Sequence, residues 1–307
     1  MTMNYHMESS HVAEYNLYTL PGVDFTLRGP QWPLHASTPS VSFLGAAQTF
    51  GAFCKYPFPN LLGEMLSARV LNFGRGGAGP GFYSKQQAVL DYVNSTDCCV
   101  IQVMSARSSV ENKFMTSVNG LTEVEILGGE SKGQIKLGHI AYRDMFDELS
   151  EREFFDLIAE TREKFVEQFL ELASKITVPK VLLYVGRNRP LQDLEFDEKW
   201  TMNKLIGIHP HLITKGMIEA ISPAFDETVK VFSPVGSDKK LVNRFTGEHV
   251  WIKRSPTYTV KTHETYISPF LHTKSALELF HPISRILKNR FKVDGDGTDE
   301  KPNEATS

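Results

Sequence analysis

Phe43-Leu44-Gly45-Ala46-Ala47-Gln48-Thr49-Phe50-Gly51 carries an apolar strand into a glycine turn and on into a helix-like segment. The strand, Val41 to Leu44, is apolar except for Ser42, the pattern of a strand covered on both faces. Further strands are predicted at Val70 to Phe73, Cys98 to Met104, Val181 to Val185 and Thr228 to Phe232. Helices are predicted between and after them, at Pro57 to Ser67, Phe82 to Asn94, Tyr142 to Lys175 and Thr214 to Ile221. A last helix, Thr273 to Phe291, is expected to be interrupted near Pro282. Strands alternating with helices predict an α/β protein built as a three-layer, doubly wound parallel sheet. Ligands meet such sheets beyond the carboxyl ends of the strands, so the segments that follow the strands hold the candidate site.

The rest of the chain is bounded by its composition. Its 307 residues suffice for one large α/β domain or two small ones. A net charge of −3 gives no general argument for nucleic acid or a membrane surface as partner. Residues 1–40 are rich in Gly and Pro and read as an irregular arm, which Tyr15, Tyr18, Phe25 and Trp32 would pack onto the domain. The domain itself is expected over residues 41–291, with a glycine-rich, polar surface excursion at 116–138. Residues 292–307 form an acidic tail with no apolar face, expected to be disordered. Cys54, Cys98 and Cys99 are an odd set, two of them adjacent in an apolar run, and read as reduced and buried. That usage, with no signal-peptide pattern at the N-terminus, points to the cytoplasm. No apolar run approaches the roughly 20 residues of a membrane span.

The strand-end segments offer several chemistries. Gly74 to Gly79 has the letters Gly-x-Gly-x-x-Gly, but it follows the second strand, and the next strand ends in Gln102-Val103-Met104 without an acid. The turn therefore fits backbone amides that bind an oxyanion better than a dinucleotide fingerprint. Arg75, Arg107, Arg187 and Arg189 all fall just past strand ends, where the planar guanidinium suits phosphate, sulfate or carboxylate. Convergence would imply an anionic ligand; otherwise these arginines are solvated or hold acidic groups. Gln48 can donate to a ligand at the mouth of the first turn, and Thr49 either contacts a ligand or caps a helix. Ser105, Ser108 and Ser109 could supply a nucleophile from another strand, although no base stands beside them in sequence. His209-Pro210-His211 with His249 or His263 lacks the usual metal-ligand spacing, and no metal is expected. Asp294 to Asp299 resembles a calcium loop but has the wrong spacing.

Several of these segments, in order, resemble the blocks of the SGNH (GDSL) hydrolase superfamily. Gly45 to Gly51 is similar to the first block, Gly-Asp-Ser, with Ala46 and Ala47 where Asp and Ser would stand. Asn72-Phe73-Gly74-Arg75-Gly76-Gly77-Ala78-Gly79 is similar to the second, with Gly77 in the oxyanion position. The third block would fall at Ser105 to Ser108, with Ser105 replacing Gly and Arg107 or Ser108 replacing Asn. The last, Asp-x-x-His, falls at Pro269 to His272 and keeps only the histidine. Arg28-Gly29-Pro30 and Gln102-Val103-Met104 further resemble an uncharacterised bacterial branch that lacks the catalytic Ser and Asp. Gly45 and Gln48 are also shared with the Gly-Asn-Cys-Gln turn of some glycan-modifying acetyltransferases.

The resemblance implies an SGNH-like fold with flavodoxin-like strand order. It also implies the place of the site, but with serine, aspartate and the third-block pair substituted the family's hydrolase chemistry does not carry over, and no acyl-enzyme is expected at Ala47. The expected activity is group transfer (acyl or sulfuryl) or an atypical esterase reaction on a glycan or other hydroxylated small molecule. His272 would be the general base, with Glu264 or His263 as its orienter, and Gln48 and Gly77 would polarise the reacting group. Arg75, Arg107, Arg187, Ser108 and Thr49 would bind substrate or an acyl-coenzyme A or activated-sulfate donor. The alternative is an inactive SGNH-like binding or scaffold protein.

Overall fold

The computed structural model describes residues 10–33, 38–187, 193, 196, 201–233, 239–255, 258–260, 262–263 and 266–294. Its main strands are β1 (Ser40–Leu44), β2 (Arg69–Asn72), β3 (Cys98–Gln102), β4 (Met115–Ser117), β5 (Glu123–Ile126), β6 (Ile135–Leu137), β7 (Lys180–Gly186) and β8 (Glu227–Phe232). The central sheet has the order β2-β1-β3-β7-β8, and every pairing in it is parallel. Counted within that sheet this is the flavodoxin-like doubly wound order, as the sequence predicts.

Each face of the sheet carries its own core, because successive strand side chains point to opposite sides. Val41, Phe43, Val100 and Val181 pack with Phe58 and Leu62 of the helix Phe58–Leu66 and with Leu271, Leu279 and Ile283 of the last helix. Leu44, Ile101 and Leu182 face the other way, toward Val89 and Leu90, Phe165 and Phe169, and Met217 and Ile218 of three further helices. At roughly 25 cal/mol per Å² of apolar surface removed from water, these two layers are the main stabilising term.

Several elements differ from the sequence reading. Tyr142 to Lys175 is two helices, Gly138–Glu148 and Glu151–Ser174. The break lies at Ser150, whose hydroxyl accepts from the Glu153 amide while Glu153 returns a bond to the Ser150 amide. This capping box makes starting a new helix cheaper than continuing the old one. Phe82 to Asn94 is likewise split, into Pro80–Tyr83 and Gln87–Asn94. The excursion at 116–138 is a three-stranded antiparallel sheet, β4-β5-β6, anchored by the buried Met115, Val124 and Ile126. The last helix runs unbroken through Pro282, from Pro269 to Asp294. The buried Leu279, Ile283 and Leu287 flank Pro282 and hold the helix on the sheet despite the missing donor. Three residues assigned to the acidic tail, 292–294, belong to this helix; the rest of the tail lies outside the described residues.

Residues 10–33 pack on the domain, with Val12, Tyr15, Phe25 and Leu27 buried. Arg28 is only 3% exposed. Its Nη2 donates to the carbonyls of Cys54, at 2.9 Å, and Lys55, at 3.0 Å. Its guanidinium carbon also sits 4.5 Å from the Tyr15 ring centre. Burial lowers its pKa from 12.5 to about 10, which leaves it charged at neutral pH. Among the described residues no helix is long and apolar enough to cross a membrane.

Candidate functional site

The carboxyl ends of β1, β2 and β3 meet in three interlocked turns. A side chain at Gly45 would collide with the Thr49 hydroxyl and lie 2.8 Å from Gln102 Oε1, so only glycine lets β1 turn here. One turn of helix follows, Ala47–Phe50, closed by Gly51 in the left-handed conformation at φ 78°. Ala46 and Ala47, both buried, present only methyl groups.

The second turn is fastened to the first. Asn72 is fully buried; its Nδ2 donates to the Thr49 carbonyl at 2.9 Å and its Oδ1 accepts from the Gly74 amide at 2.9 Å. Gly74 leaves no room for a side chain against the Phe50 backbone. The Arg75 amide donates to the Gly45 carbonyl at 2.9 Å, and the Tyr83 hydroxyl lies 2.7 Å from the carbonyls of both Gly45 and Phe73. Burial raises the Tyr83 pKa, so this hydroxyl stays a donor.

The amides of Gly74, Arg75, Ala78 and Gly79 all donate to protein acceptors. Gly77, at φ 81°, has no amide hydrogen bond among the described residues; its carbonyl accepts from Ser108 Oγ at 2.8 Å. The third turn, Ala106–Ser108, therefore holds the second in place. The Ala106 amide donates to the His211 carbonyl at 3.1 Å, which lays the segment after the helix Met202–Ile206 along the third turn. Arg162, from the long helix, supports that segment through the carbonyls of Leu212, at 3.0 Å, and Leu205, at 2.9 Å.

A chain of buried polar groups crosses the site. Thr49 Oγ1 donates to Gln102 Oε1 at 2.6 Å, Gln102 Nε2 donates to Gln48 Oε1, and Gln48 Nε2 lies 2.8 Å from His209 Nδ1. All four side chains are buried, His209 at 6% exposure being the most open. His211 is held from Nδ1 by the Gly207 carbonyl at 3.0 Å. Burial first, and the nearby Arg107 second, lower its pKa from 6.5 to about 4.

The structure brings together Gln48 with Thr49, and Gly77 with Ser108, among the predicted site residues. His272 lies in the first turn of the last helix, 1% exposed, its Nδ1 accepting from the Phe58 amide at 3.2 Å and its ring 5.9 Å from that of Phe58. A backbone amide can only donate, so this bond places the imidazole proton on Nε2. Arg75 is stacked between Phe25 and Phe82, 5.0 Å from each ring centre. Arg107 is half-buried beside His211 and Tyr142, and Arg187 stands half-buried one residue past β7. Arg189, Glu264 and the side chain of His263 lie outside the described residues. Among the described residues no three His, Cys, Asp or Glu side chains gather to hold a metal.

Sequence reasoning missed the roles of Gln102, His209 and Arg162. Gln102 had a readable signal: a polar residue ending an apolar central strand must find a buried partner. His209 and Arg162 had none, since their partners lie far off in sequence.

Residues 3–118 match a family described as Domain of unknown function (DUF6473). No curated protein matches the chain. Similar solved structures include a carbohydrate esterase family 2 enzyme with a carbohydrate-binding domain from Corynascus thermopiles (Myceliophthora fergusii), at 12% identity and TM-score 0.39, covering 85% of this chain and 69% of that one. Another is a two-domain esterase active on acetylated mannans, at 11% identity and TM-score 0.39, covering 88% of this chain and 53% of that one. A third is a mutant acetyl-xylooligosaccharide esterase from Geobacillus Stearmophilus, at 10% identity and TM-score 0.34, covering 87% of this chain and 97% of that one.

Proposed function

We propose that the chain is an SGNH-like enzyme of the bacterial branch without Ser and Asp, acting on a glycan or other hydroxylated substrate. The reaction is a direct acyl or sulfuryl transfer, or an atypical ester hydrolysis, with a histidine base and no acyl-enzyme at the first turn. The observation that carries this reading is the Gly77 amide. It is the expected oxyanion donor; the amides of Gly74, Arg75, Ala78 and Gly79 around it are consumed by internal bonds, and it makes none among the described residues. An amide aimed at developing negative charge is worth about 2.7–4 kcal/mol in a transition state. Ala47 offers no attacking atom, and in this reading the acceptor hydroxyl, or water, attacks the donor itself.

His272 is the base the motif order indicates; with Nδ1 on the Phe58 amide it can accept a proton only if that bond opens. The arginines past the strand ends would hold an acyl-coenzyme A or activated-sulfate donor. The second reading, an inactive binding or scaffold protein, is favoured by how completely Gln48, Thr49 and Asn72 satisfy one another.

The test is turnover of acetylated oligosaccharides and p-nitrophenyl acetate, with and without acetyl-coenzyme A or an activated sulfate. Thermal shifts are recorded with each donor alone. Turnover without a covalent adduct supports the enzyme. Binding of a glycan without turnover of any donor supports the scaffold. No turnover and no shift with any ligand overturns both.

A further inference from the structure

We propose that the cleft between the long helix Glu151–Ser174 and residues 81–85 is a second binding site, for a neutral, hydroxyl-rich ligand such as a sugar unit. The cleft has a volume of about 330 Å³, at the small end of sites that take small molecules. Lys164, Glu167, Gln168 and Glu171 come to one face of the helix by their spacing and meet Gly81 and Lys85 across the gap. The observation that points to a ligand is the Gln168 carboxamide oxygen. It is buried and has no hydrogen-bond partner. It lies against Gly81, where an added Cβ would stand 2.8 Å from it, so the glycine leaves the carboxamide its place. A buried acceptor without a donor is unfavourable, and a donor carried in by a ligand removes that deficit. The inference is independent of the enzyme reading above.

The charges of the cleft set the class of that ligand. Lys164 Nζ lies 3.2 Å from Glu111 Oε2 and 3.3 Å from Glu167 Oε2. Lys175 Nζ lies 2.6 Å from Glu171 Oε1 and donates to the Ser84 carbonyl at 2.9 Å, which ties the helix to the opposite wall. Each of the three carboxylates therefore already has its cation. Lys85, the remaining charge, is exposed and solvated. An ammonium entering the cleft would compete with lysines for those carboxylates, and an anion would meet three like charges. Every lining side chain is polar or charged, so an apolar ligand gains nothing there. A hydroxyl both donates and accepts. One sugar hydroxyl can donate to Gln168 Oε1 while others donate to spare lone pairs of the paired carboxylates, and no ion pair is broken.

The test is NMR of the full chain labelled with nitrogen-15, titrated with xylobiose, mannobiose and cellobiose, and separately with acetate and putrescine. At least one disaccharide is expected to shift the Gln168 side-chain amide pair and the backbone amides of residues 81–85 along one saturable curve, leaving Gly77 in place. Gln168→Met keeps the length of the side chain and removes the acceptor. It should weaken that binding about threefold to tenfold, the value of one neutral hydrogen bond. Gln168→Glu keeps an oxygen acceptor and should retain the binding; urea midpoints check that both variants are folded. No shift at Gln168 with any disaccharide overturns the proposal, as does equal affinity in Gln168→Met. Saturation by acetate or putrescine alone overturns the ligand class. Shifts confined to Gly77 and its turn would assign the sugar to the candidate site, overturning this proposal while supporting a glycan there.

Discussion

Asn72 shows how much of the site hangs on one side chain. It ties the first turn to the second through Thr49 and Gly74, beside the link that Tyr83 makes, and it is fully buried. Asn72→Ala is expected to cost about 2–4 kcal/mol, because two buried backbone groups lose partners. The loss should read as a lower urea midpoint. His211 makes a second prediction at this scale. In the unfolded chain it titrates near 6.5, whereas the folded protein holds it at about 4. Between those values the unfolded state binds a proton that the folded state refuses, so stability falls as pH drops from about 6.5 to 4. Above that window the histidine is neutral in both states and contributes no slope. His211→Asn should flatten the decline in a series of urea titrations across this range. Neither residue was equally legible. Asn72 belonged to a recognisable block, but the environment of His211 depends on Arg107 and on a segment folded back from another strand.

The helices carry their own start signals, and these were readable where they were local. Ser150 and Glu153 are three apart and form the box that starts the helix Glu151–Ser174. Ser150→Ala is expected to destabilise the protein by about 1 kcal/mol, measured as a shift in thermal midpoint. The periodicity of apolar residues runs through this boundary, so the pattern alone predicts one long helix where the cap makes two. The opposite error occurs at Pro282, where a local rule predicts a break and packing of Leu279 and Ile283 overrides it. Strand positions followed from apolar runs and turn chemistry, whereas the order of the strands in the sheet came from the resemblance to SGNH hydrolases. The antiparallel sheet at 115–137 followed from neither, because its strands are three or four residues long and their registers are set by pairing across the chain.

For the molecule as a whole, the N-terminal segment is part of the core. Tyr15 packs against Phe50 with ring centres 5.0 Å apart, and Arg28 closes the carbonyls of Cys54 and Lys55. Removing the chain up to Gly29 would open Phe50 and strand those carbonyls. The truncated protein is expected to lose its cooperative thermal transition and to bind a hydrophobic dye, while the full chain does neither. The adjacency of Cys98 and Cys99 has its own consequence at this scale. Both thiols are buried, in neighbouring positions of one central strand, yet Cys98 belongs to the layer of the last helix and Cys99 to the layer of the long helix. Burial raises both thiol pKa values, Cys99 to about 12, so each is silent toward alkylating reagents until its own layer opens. The pair is a two-channel clock written into the sequence. Peptide mass spectrometry during slow alkylation would time the detachment of each helical layer separately, against a shared strand.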